Sequence, residues 1–433
     1  MKHSLPISDR LAVACLALLL VTPALVARLH VPGLPLYGLG FAGFVFVCGL
    51  RNLAETEGLY SRLAWATPFL LLICAVTFSF AVGGGTELRL YAVVVFNCVL
   101  GIAVAVYPWD RASLTWLMRC CVGFAIVLSV AILTYAGSDE AIRRAIDDDG
   151  RGVIRGYLTI SLIVGFGCLA AMYLVIERLS LIGLGVLFLV WVGLALGQGR
   201  STFMLCVLLA AVYGIAALSS NLATFRKGRK TLIVMALIPI VPAITTILFS
   251  LERNRQRFGA MFADVGGALD ESNRTLLKDA AMRKIGESPL FGNGLGEYML
   301  DEGGTPHNVV LQYAVDGGIV AGALLIAFLL TLLYIGMLSV ARSGAHLRNV
   351  SLVVLMFFLY QVTNMLVSID AYVARAFFIV AGLQIGIARF VILQRSSKWE
   401  SQVVRYRSRM VLVSPDKLPG SLRSSGGGSV EEL

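Results

Sequence analysis

Long apolar stretches alternate with short polar connections along most of this chain. A transmembrane helix needs about 20 mostly apolar residues in one run, which soluble helices and strands rarely contain. The pattern therefore predicts an all-α polytopic membrane protein with about twelve transmembrane helices. The apolar windows lie roughly at residues 11–29, 34–50, 63–82, 89–108, 116–136, 158–175, 179–197, 201–218, 231–250, 317–340, 349–367 and 372–393.

The composition supports the same class of protein. Of the 433 residues, 58% are hydrophobic and only 14% are charged, more apolar surface than a soluble protein of this size could bury. The net charge of +10 could suggest a nucleic-acid partner. Lysine and arginine, however, lie mostly in the short connections and near the C-terminus, as the positive-inside rule predicts for cytoplasmic loops. We therefore expect membrane lipids, and no nucleic acid, among the partners.

The basic connections also predict an orientation and a division of the chain. They all fall on one side if both termini are cytoplasmic. We divide the chain into residues 1–250 with nine spans, a long outer segment at 251–316, residues 317–393 with three spans, and a basic tail at 394–433. The last residues of the tail resemble a flexible linker or cloning remnant. The basic connections contain Arg51, Arg62, Arg111, Arg178, residues 225–230, Arg342 and Arg348, and the outer side holds residues 83–88, 137–157 and 197–200 besides the long segment.

No residue pattern predicts a metal or another cofactor. The eight cysteines have no spacing that suits a metal, and we interpret them as small buried hydrophobic residues. The three aspartates at 147–149 could imitate an acidic metal site, but adjacent acids in a polar loop are more often only solvated. The cysteines are Cys15, Cys48, Cys74, Cys98, Cys120, Cys121, Cys168 and Cys206.

The long outer segment is predicted to contain a helix that begins after Ser272, a suitable N-cap. Its apolar residues recur on one helical stripe, while Arg274 and Lys278 lie one turn apart on the opposite face. Arginine binds phosphate oxygens in a bidentate manner, so the arginines of this segment are candidate ligands of a diphosphate. The alternative is that they form a solvated face or contact lipid head groups. The stripe contains Leu276, Leu277, Ala280, Ala281 and Ile285, and upstream lie Arg253, Arg255 and Arg257.

Two further short motifs lie on the predicted outer side. In GQGRST, at 197–202, Arg200 belongs to a tight turn between two spans. It either points into the same outer cavity as the long segment or binds the last carbonyls of the preceding helix. GNGLG, at 292–296, has no strand–turn–helix context, so we expect a turn rather than a nucleotide-binding loop.

His307 follows a proline at the end of the outer segment. Thr305 is the expected N-cap, Pro306 the first helical residue and His307 the second, with the short helix broken at Gly317–Gly318. The positive end of a helix dipole, with arginines nearby, favours the neutral imidazole, which can accept a proton. His307 is therefore a candidate general base, and the alternative is that it only bonds a backbone carbonyl.

Three stretches together resemble the O-antigen ligase family of bacterial inner membranes, which is grouped with O-antigen polymerases. They are GQGRST, SPLFGNGLG at 288–296 and PHNVVLQYAVDGGIVAG at 306–322, with one large outer segment between late spans. The resemblance covers residues 185 to 375 approximately. It implies a GT-C-like helical membrane enzyme with a periplasmic loop and an active site at the periplasmic face of the inner membrane.

The resemblance also implies the chemistry. The reaction would be a metal-independent, inverting transfer of polysaccharide from undecaprenyl diphosphate to a hydroxyl of lipid A–core. His307 matches the family's base, and Arg200 and Arg274 match the arginines that hold the diphosphate. Asp370 could orient His307 or a sugar hydroxyl, and Asn308 and Gln312 are further candidate sugar contacts.

Two other functions remain possible at this point. An O-antigen polymerase would use the same chemistry with a growing glycan as acceptor, and acceptor choice depends on cavity shape. A polysaccharide or lipid transporter would belong to a different class, and it would place ionisable or unwound segments near the middle of the membrane.

Overall fold

The computed structural model describes residues 6–29, 40–45, 47, 59–82, 87–136, 152–177, 180–196, 200–220, 273–302, 305–306, 308–367 and 375–411. These ranges are almost entirely helical and contain no strand, which confirms the all-α class. The helices are α1 (Ile7–Leu29), α2 (Leu59–Trp65), α3 (Thr67–Val82), α4 (Leu88–Val106), α5 (Arg111–Ala136), α6 (Gly152–Glu177), α7 (Leu181–Leu196), α8 (Arg200–Ser220), α9 (Asn273–Glu287), α10 (Glu297–Glu302), α11 (Val309–Arg342), α12 (Ala345–Val367) and α13 (Arg375–Val411).

Six of the described helices are long and apolar enough to cross a membrane, namely α4, α5, α6, α11, α12 and α13. Shorter apolar segments lie at Thr67–Val82, Leu181–Leu196 and Thr202–Ala216. The predicted span at 231–250 lies outside the described residues, and the span at 34–50 is described only at 40–45 and 47. The chain is therefore a helical membrane protein, and the total of twelve spans stays a prediction.

Some boundaries differ from those the apolar windows predict. α5 begins at Arg111 rather than near 116, because Asp110 caps it: the Asp110 Oδ1 atom accepts a hydrogen bond from Ser113 N at 2.7 Å, and the Ser113 Oγ atom accepts one from Asp110 N at 3.0 Å. α6 begins at Gly152, inside the segment 137–157 that was predicted as a loop. α13 continues through Val411 into the predicted tail. Hydropathy finds the apolar middle of a helix, whereas caps and polar turns set its ends.

The prediction that the cysteines are buried holds for Cys98, Cys121, Cys168 and Cys206. It is wrong for Cys74, which is exposed on α3, and Cys15 and Cys120 are half-buried. An outward-facing apolar side chain contacts lipid rather than water, so burial in protein is not required of it. Cys48 lies outside the described residues.

The helices pack into one bundle in which α6, α12 and α13 have the most buried spans. α4 and α13 pack so closely that a Cβ on Gly382 would overlap the carbonyl oxygen of Gly101. Gly386, one turn further along α13, packs against the Trp109 ring and the Ala105 carbonyl. Small residues four apart let two helix backbones approach, as is common in membranes.

Polar contacts gather several helix ends at one end of the bundle, which we call the basic end. Arg111 at the start of α5 pairs with Glu177 at the end of α6, at 2.7 Å. Asn349 near the start of α12 donates to the other Glu177 oxygen at 3.2 Å. The predicted basic connections beside residues 111, 178 and 348 therefore share one end. Whether that end faces the cytoplasm stays a prediction.

Arg389 of α13 binds the end of α4 at the basic end. Although it lies in an apolar helix, it is only 4% exposed. Its guanidinium donates to the carbonyl oxygens of Ala105, Val106 and Tyr107 at 3.2, 3.2 and 2.9 Å. The last carbonyls of a helix have no partner within it, so a buried arginine can satisfy them.

The candidate functional site

The opposite end of the bundle holds those candidate residues that the structure describes, namely Asn308, Gln312 and the backbones of Arg200 and Arg274, and we call it the site end. On one side of it, the start of α8 meets the end of α12, because the Thr202 hydroxyl donates to Asn364 Oδ1 at 3.0 Å in the protein interior. On the other side, the turn at 288–296 packs against the first part of α11 and the end of α3. α12 lies between them, packed against both α8 and α11.

Helix α11 is broken where the sequence predicts it. Gly317 has φ −125° and ψ 17°, and Gly318 has φ 72° and ψ −176°, neither of which is helical. A broken helix releases carbonyl and N–H groups that lipid could not satisfy. The break must therefore find partners elsewhere in the protein.

The turn at 288–296 supplies those partners. Asn293 N and Gly294 N donate to the carbonyl oxygens of Val315 and Asp316, both at 2.9 Å. In return, Ile319 N donates to Pro289 O at 2.8 Å. Two stretches that carry the family resemblance, SPLFGNGLG and the DGG of the later motif, thus hydrogen-bond directly to each other.

The approach of these two segments leaves no room for side chains. A Cβ on Gly292 would overlap the backbone of Asp316 and Gly318, and a Cβ on Gly318 would overlap the carbonyl of Leu290. Both glycines also have positive φ, at 75° and 72°. The prediction that GNGLG is a turn is confirmed, and the structure shows that it supports a helix break.

Helix α9, which packs on α11, confirms the helix predicted within the segment 251–316. Ala280 and Ala281 are buried against Tyr298 and Val315, with Leu277, Ile285 and Leu311 packed around them. One residue of the predicted stripe was wrong: Leu276 is 67% exposed, because it lies at the edge of the buried face. Ser272 lies outside the described residues.

Tyr298 of α10 connects α10 to α9. Its hydroxyl donates to the carbonyl oxygen of Leu277, and its side chain is buried. Burial raises the pKa of Tyr298 to about 12, with Glu302 adding to the effect. Lys284 forms an ion pair with Asp301 at 2.7 Å, and this hydrogen bond raises the pKa of the lysine.

The predicted start of the helix at His307 needs a correction. The N-cap is Asn308 rather than Thr305, and α11 begins at Val309, so Pro306 does not occupy the first helical position. Asn308 has extended backbone angles, and its Oδ1 atom accepts from Val310 N at 3.0 Å and Leu311 N at 3.1 Å. An asparagine cap outcompetes the upstream threonine because its carbonyl reaches two free N–H groups at once.

Gln312 lies on the protein-facing side of the first part of α11. It is 3% exposed, and its Nε2 atom lies 3.9 Å from the Met299 sulfur. Its predicted contact with a sugar stays a prediction. Asp316, one turn further on the same face, is 2% exposed and directly precedes the helix break.

The remaining candidates are placed only by their backbones or not at all. Arg200 is the first residue of α8, two residues before Thr202, and Arg274 is the second residue of α9. His307 and Asp370 lie outside the described residues, as do Arg253, Arg255 and Arg257. By sequence, His307 immediately precedes the Asn308 cap.

Residues that the sequence did not point to are Thr202, Asn364 and Asp316. An aspartate before two glycines in an apolar run is itself a signal, because ionisable residues in spans are rare and functional. The bond between Thr202 and Asn364 joins positions far apart in sequence, and no local pattern predicts it. Within the described ranges, no three side chains of His, Cys, Asp and Glu lie close enough to hold a metal.

No protein-family model matches this chain, and no curated protein is similar to it in sequence. The resemblance to O-antigen ligases therefore depends on its sequence motifs alone.

Proposed function

We propose that this chain is an inverting, metal-independent glycosyltransferase of the O-antigen ligase type. It moves a polysaccharide from undecaprenyl diphosphate to a hydroxyl of lipid A–core, at the periplasmic side of a bacterial inner membrane. The observation that most supports this proposed function is the set of backbone hydrogen bonds between the turn at 288–296 and the break in α11. It fixes the helix that begins just after His307, at the same end of the bundle where α8 begins with Arg200.

The chemistry proposed for His307 follows from its position beside a helix start. The neutral imidazole accepts the proton of the acceptor hydroxyl as that oxygen attacks the anomeric carbon of the donor. The bond from this carbon to the diphosphate oxygen breaks, and the electron pair leaves with undecaprenyl diphosphate. Attack opposite the leaving group inverts the anomeric configuration.

Arg200 and Arg274 stabilise the leaving group in this proposal. A diphosphate leaves as an anion, so it needs fixed positive charge rather than protonation. Each guanidinium can bind two phosphate oxygens and stays charged throughout the reaction. The two arginines belong to helices that begin at the site end, where free N–H groups also favour anions.

The test is a reconstituted transfer assay with purified protein, a lipid-linked glycan and a core acceptor. His307→Ala should lower the transfer rate by about 10²-fold or more, as loss of a general base does. His346→Ala, at the basic end of the bundle, is the matched control and should keep normal transfer. Near-normal transfer by the His307 variant would exclude the proposed mechanism.

A second arm of the assay identifies the acceptor. Lipid-linked repeat units replace lipid A–core as the acceptor, with the same donor and the same protein. Transfer to core alone supports the ligase. Transfer to repeat units alone would instead make the chain an O-antigen polymerase, and transfer to neither would exclude both enzymes.

A further inference from the structure

A cavity lies at the basic end of the bundle, far from the site end. It has a volume of about 970 Å³ and opens between α1, α5, α6 and α7. Its walls include Arg111 and Glu177, the ion pair that marks the basic end. Asn349, which bonds Glu177 there, and Asn364 at the site end are 15 residues apart on α12, which corresponds to about 22 Å.

The charges in this cavity do not balance. Among the described residues that line it, Arg10, Arg111 and Arg119 are basic and Glu177 alone is acidic. Both Glu177 oxygens are already bonded, one to Arg111 and the other to Asn349. In the part of the chain that the structure describes, the side chains of Arg10 and Arg119 have no acidic partner. The cavity therefore has an excess of positive charge.

Arg119 is the most unusual of these residues. It lies two turns inside α5, about 12 Å from the helix start, in a segment apolar enough to span a membrane. A charged side chain within a span is unfavourable unless a partner or water compensates it. Here the side chain is exposed and lines the cavity, so an anion entering the cavity would compensate it.

Along α5, the residues that line the cavity change from charged near the helix start to apolar further on. Arg111 and Arg119 come first along α5, and Val122 and Ile126 follow them in the lining. Leu174 of α6 and Val186 of α7 continue this apolar wall. A ligand that fits has a compact anionic head and an apolar tail.

We propose that this cavity binds an anionic phospholipid, with its phosphate between Arg10, Arg111 and Arg119. One acyl chain lies along the apolar wall formed by α5 and α7. Basic pockets between transmembrane helices bind anionic lipid head groups in this way. The indole N–H of Trp116, which lines the same cavity, is buried and has no acceptor among the described residues. A lipid oxygen that reached it would satisfy this donor. This inference does not depend on the proposed transferase activity.

The test measures lipid binding to the delipidated, full-length protein by native mass spectrometry. Phosphatidylglycerol and phosphatidylcholine with identical acyl chains are compared, and we expect the anionic lipid to bind at least about tenfold more tightly, a difference of about 1.4 kcal/mol. Arg119→Gln should abolish this preference. Arg342→Gln, an exposed arginine at the end of α11 that does not line the cavity, should retain it. Equal binding of the two lipids, or an unchanged preference in Arg119→Gln, would overturn the proposal.

Two further measurements separate the alternatives. Inorganic phosphate should raise the melting temperature far less than phosphatidylglycerol does, and equal stabilisation would show a site for a soluble anion instead. Val186→Trp fills the apolar part of the cavity without removing a charge. It should weaken phosphatidylglycerol binding, and unchanged binding would contradict the predicted place of the acyl chain. This variant also decides the question if Arg119→Gln fails to fold.

Discussion

Replacing Gly318 by alanine tests whether the helix break in α11 holds the site end together. With φ 72° and ψ −176°, this residue lies in a region that only glycine occupies readily. Forcing alanine into such a conformation costs about 1–3 kcal/mol. Its Cβ would also overlap the Leu290 carbonyl and lie 2.6 Å from Phe291 N, so the two backbones must separate.

That separation removes further stabilisation. Three backbone hydrogen bonds join the turn to the break, from Asn293 N, Gly294 N and Ile319 N. Each contributes about 1 kcal/mol, and more where the separated groups stay buried. Together with the backbone strain, we expect Gly318→Ala to destabilise the junction by about 4–6 kcal/mol. The start of α11 would then lose its fixed position.

The assay combines thermal unfolding in detergent, limited proteolysis and glycan transfer. The variant should melt at a lower temperature, be cleaved near residues 288–296 and transfer little glycan. The matched control is Gly286→Ala, in the helical part of α9, where a Cβ would meet nothing within 4 Å. The control should be unchanged or stabilised by about 0.5–1 kcal/mol. If Gly318→Ala resembled the wild type in melting and cleavage, the role assigned to the junction would be wrong.

Three further substitutions test other parts of the structure. Arg389→Met leaves the carbonyls at the end of α4 without donors, and we expect a loss of about 3 kcal/mol or more in unfolding experiments; an unchanged melting temperature would contradict this. Tyr298→Phe should make the protein less sensitive to alkaline pH. Because folding raises the pKa of Tyr298 to about 12, its contribution to the free energy of unfolding is complete below about pH 10 and is lost as the pH rises to about 12. The free energy of unfolding of the variant should therefore fall less than that of the wild type over this interval. Thr202→Val removes the hydrogen bond to Asn364 and should destabilise the start of α8 by about 1–2 kcal/mol. Because Arg200 lies two residues before Thr202, we also expect weaker binding of the donor, measured as a higher KM. An unchanged KM would show that this hydrogen bond does not position Arg200.

Local patterns predicted much of the helical framework. The apolar windows found α4, α5, α6, α11, α12 and α13, because hydrophobic length is a property of each segment by itself. The helix α9, with four of the five residues of its predicted stripe, and the break at Gly317–Gly318 were also correct. Both follow from side-chain periodicity and from the conformational freedom of glycine, which depend on neighbours in sequence.

The features that the sequence did not predict depend on competition or on distant contacts. Thr305 and Asn308 are both good caps, and only the folded backbone decides that Asn308 is used. Arg389 donates to three carbonyl oxygens at the end of α4, which lie more than 280 residues away in sequence. The pairing of the turn at 288–296 with the break in α11 likewise joins two motifs that the sequence shows only separately.

The close pair of α4 and α13 has a consequence for the biogenesis of the protein. α4 is made early, but Gly101 and the carbonyls of Ala105 and Val106 contact α13, at Gly382 and Arg389, and this helix is made much later. Until the ribosome has released that helix, α4 lies in the membrane without this partner or associates with the insertion machinery. A chain that stops before residue 375 would therefore expose an unfinished helix surface to the lipid, where quality-control proteases can recognise it.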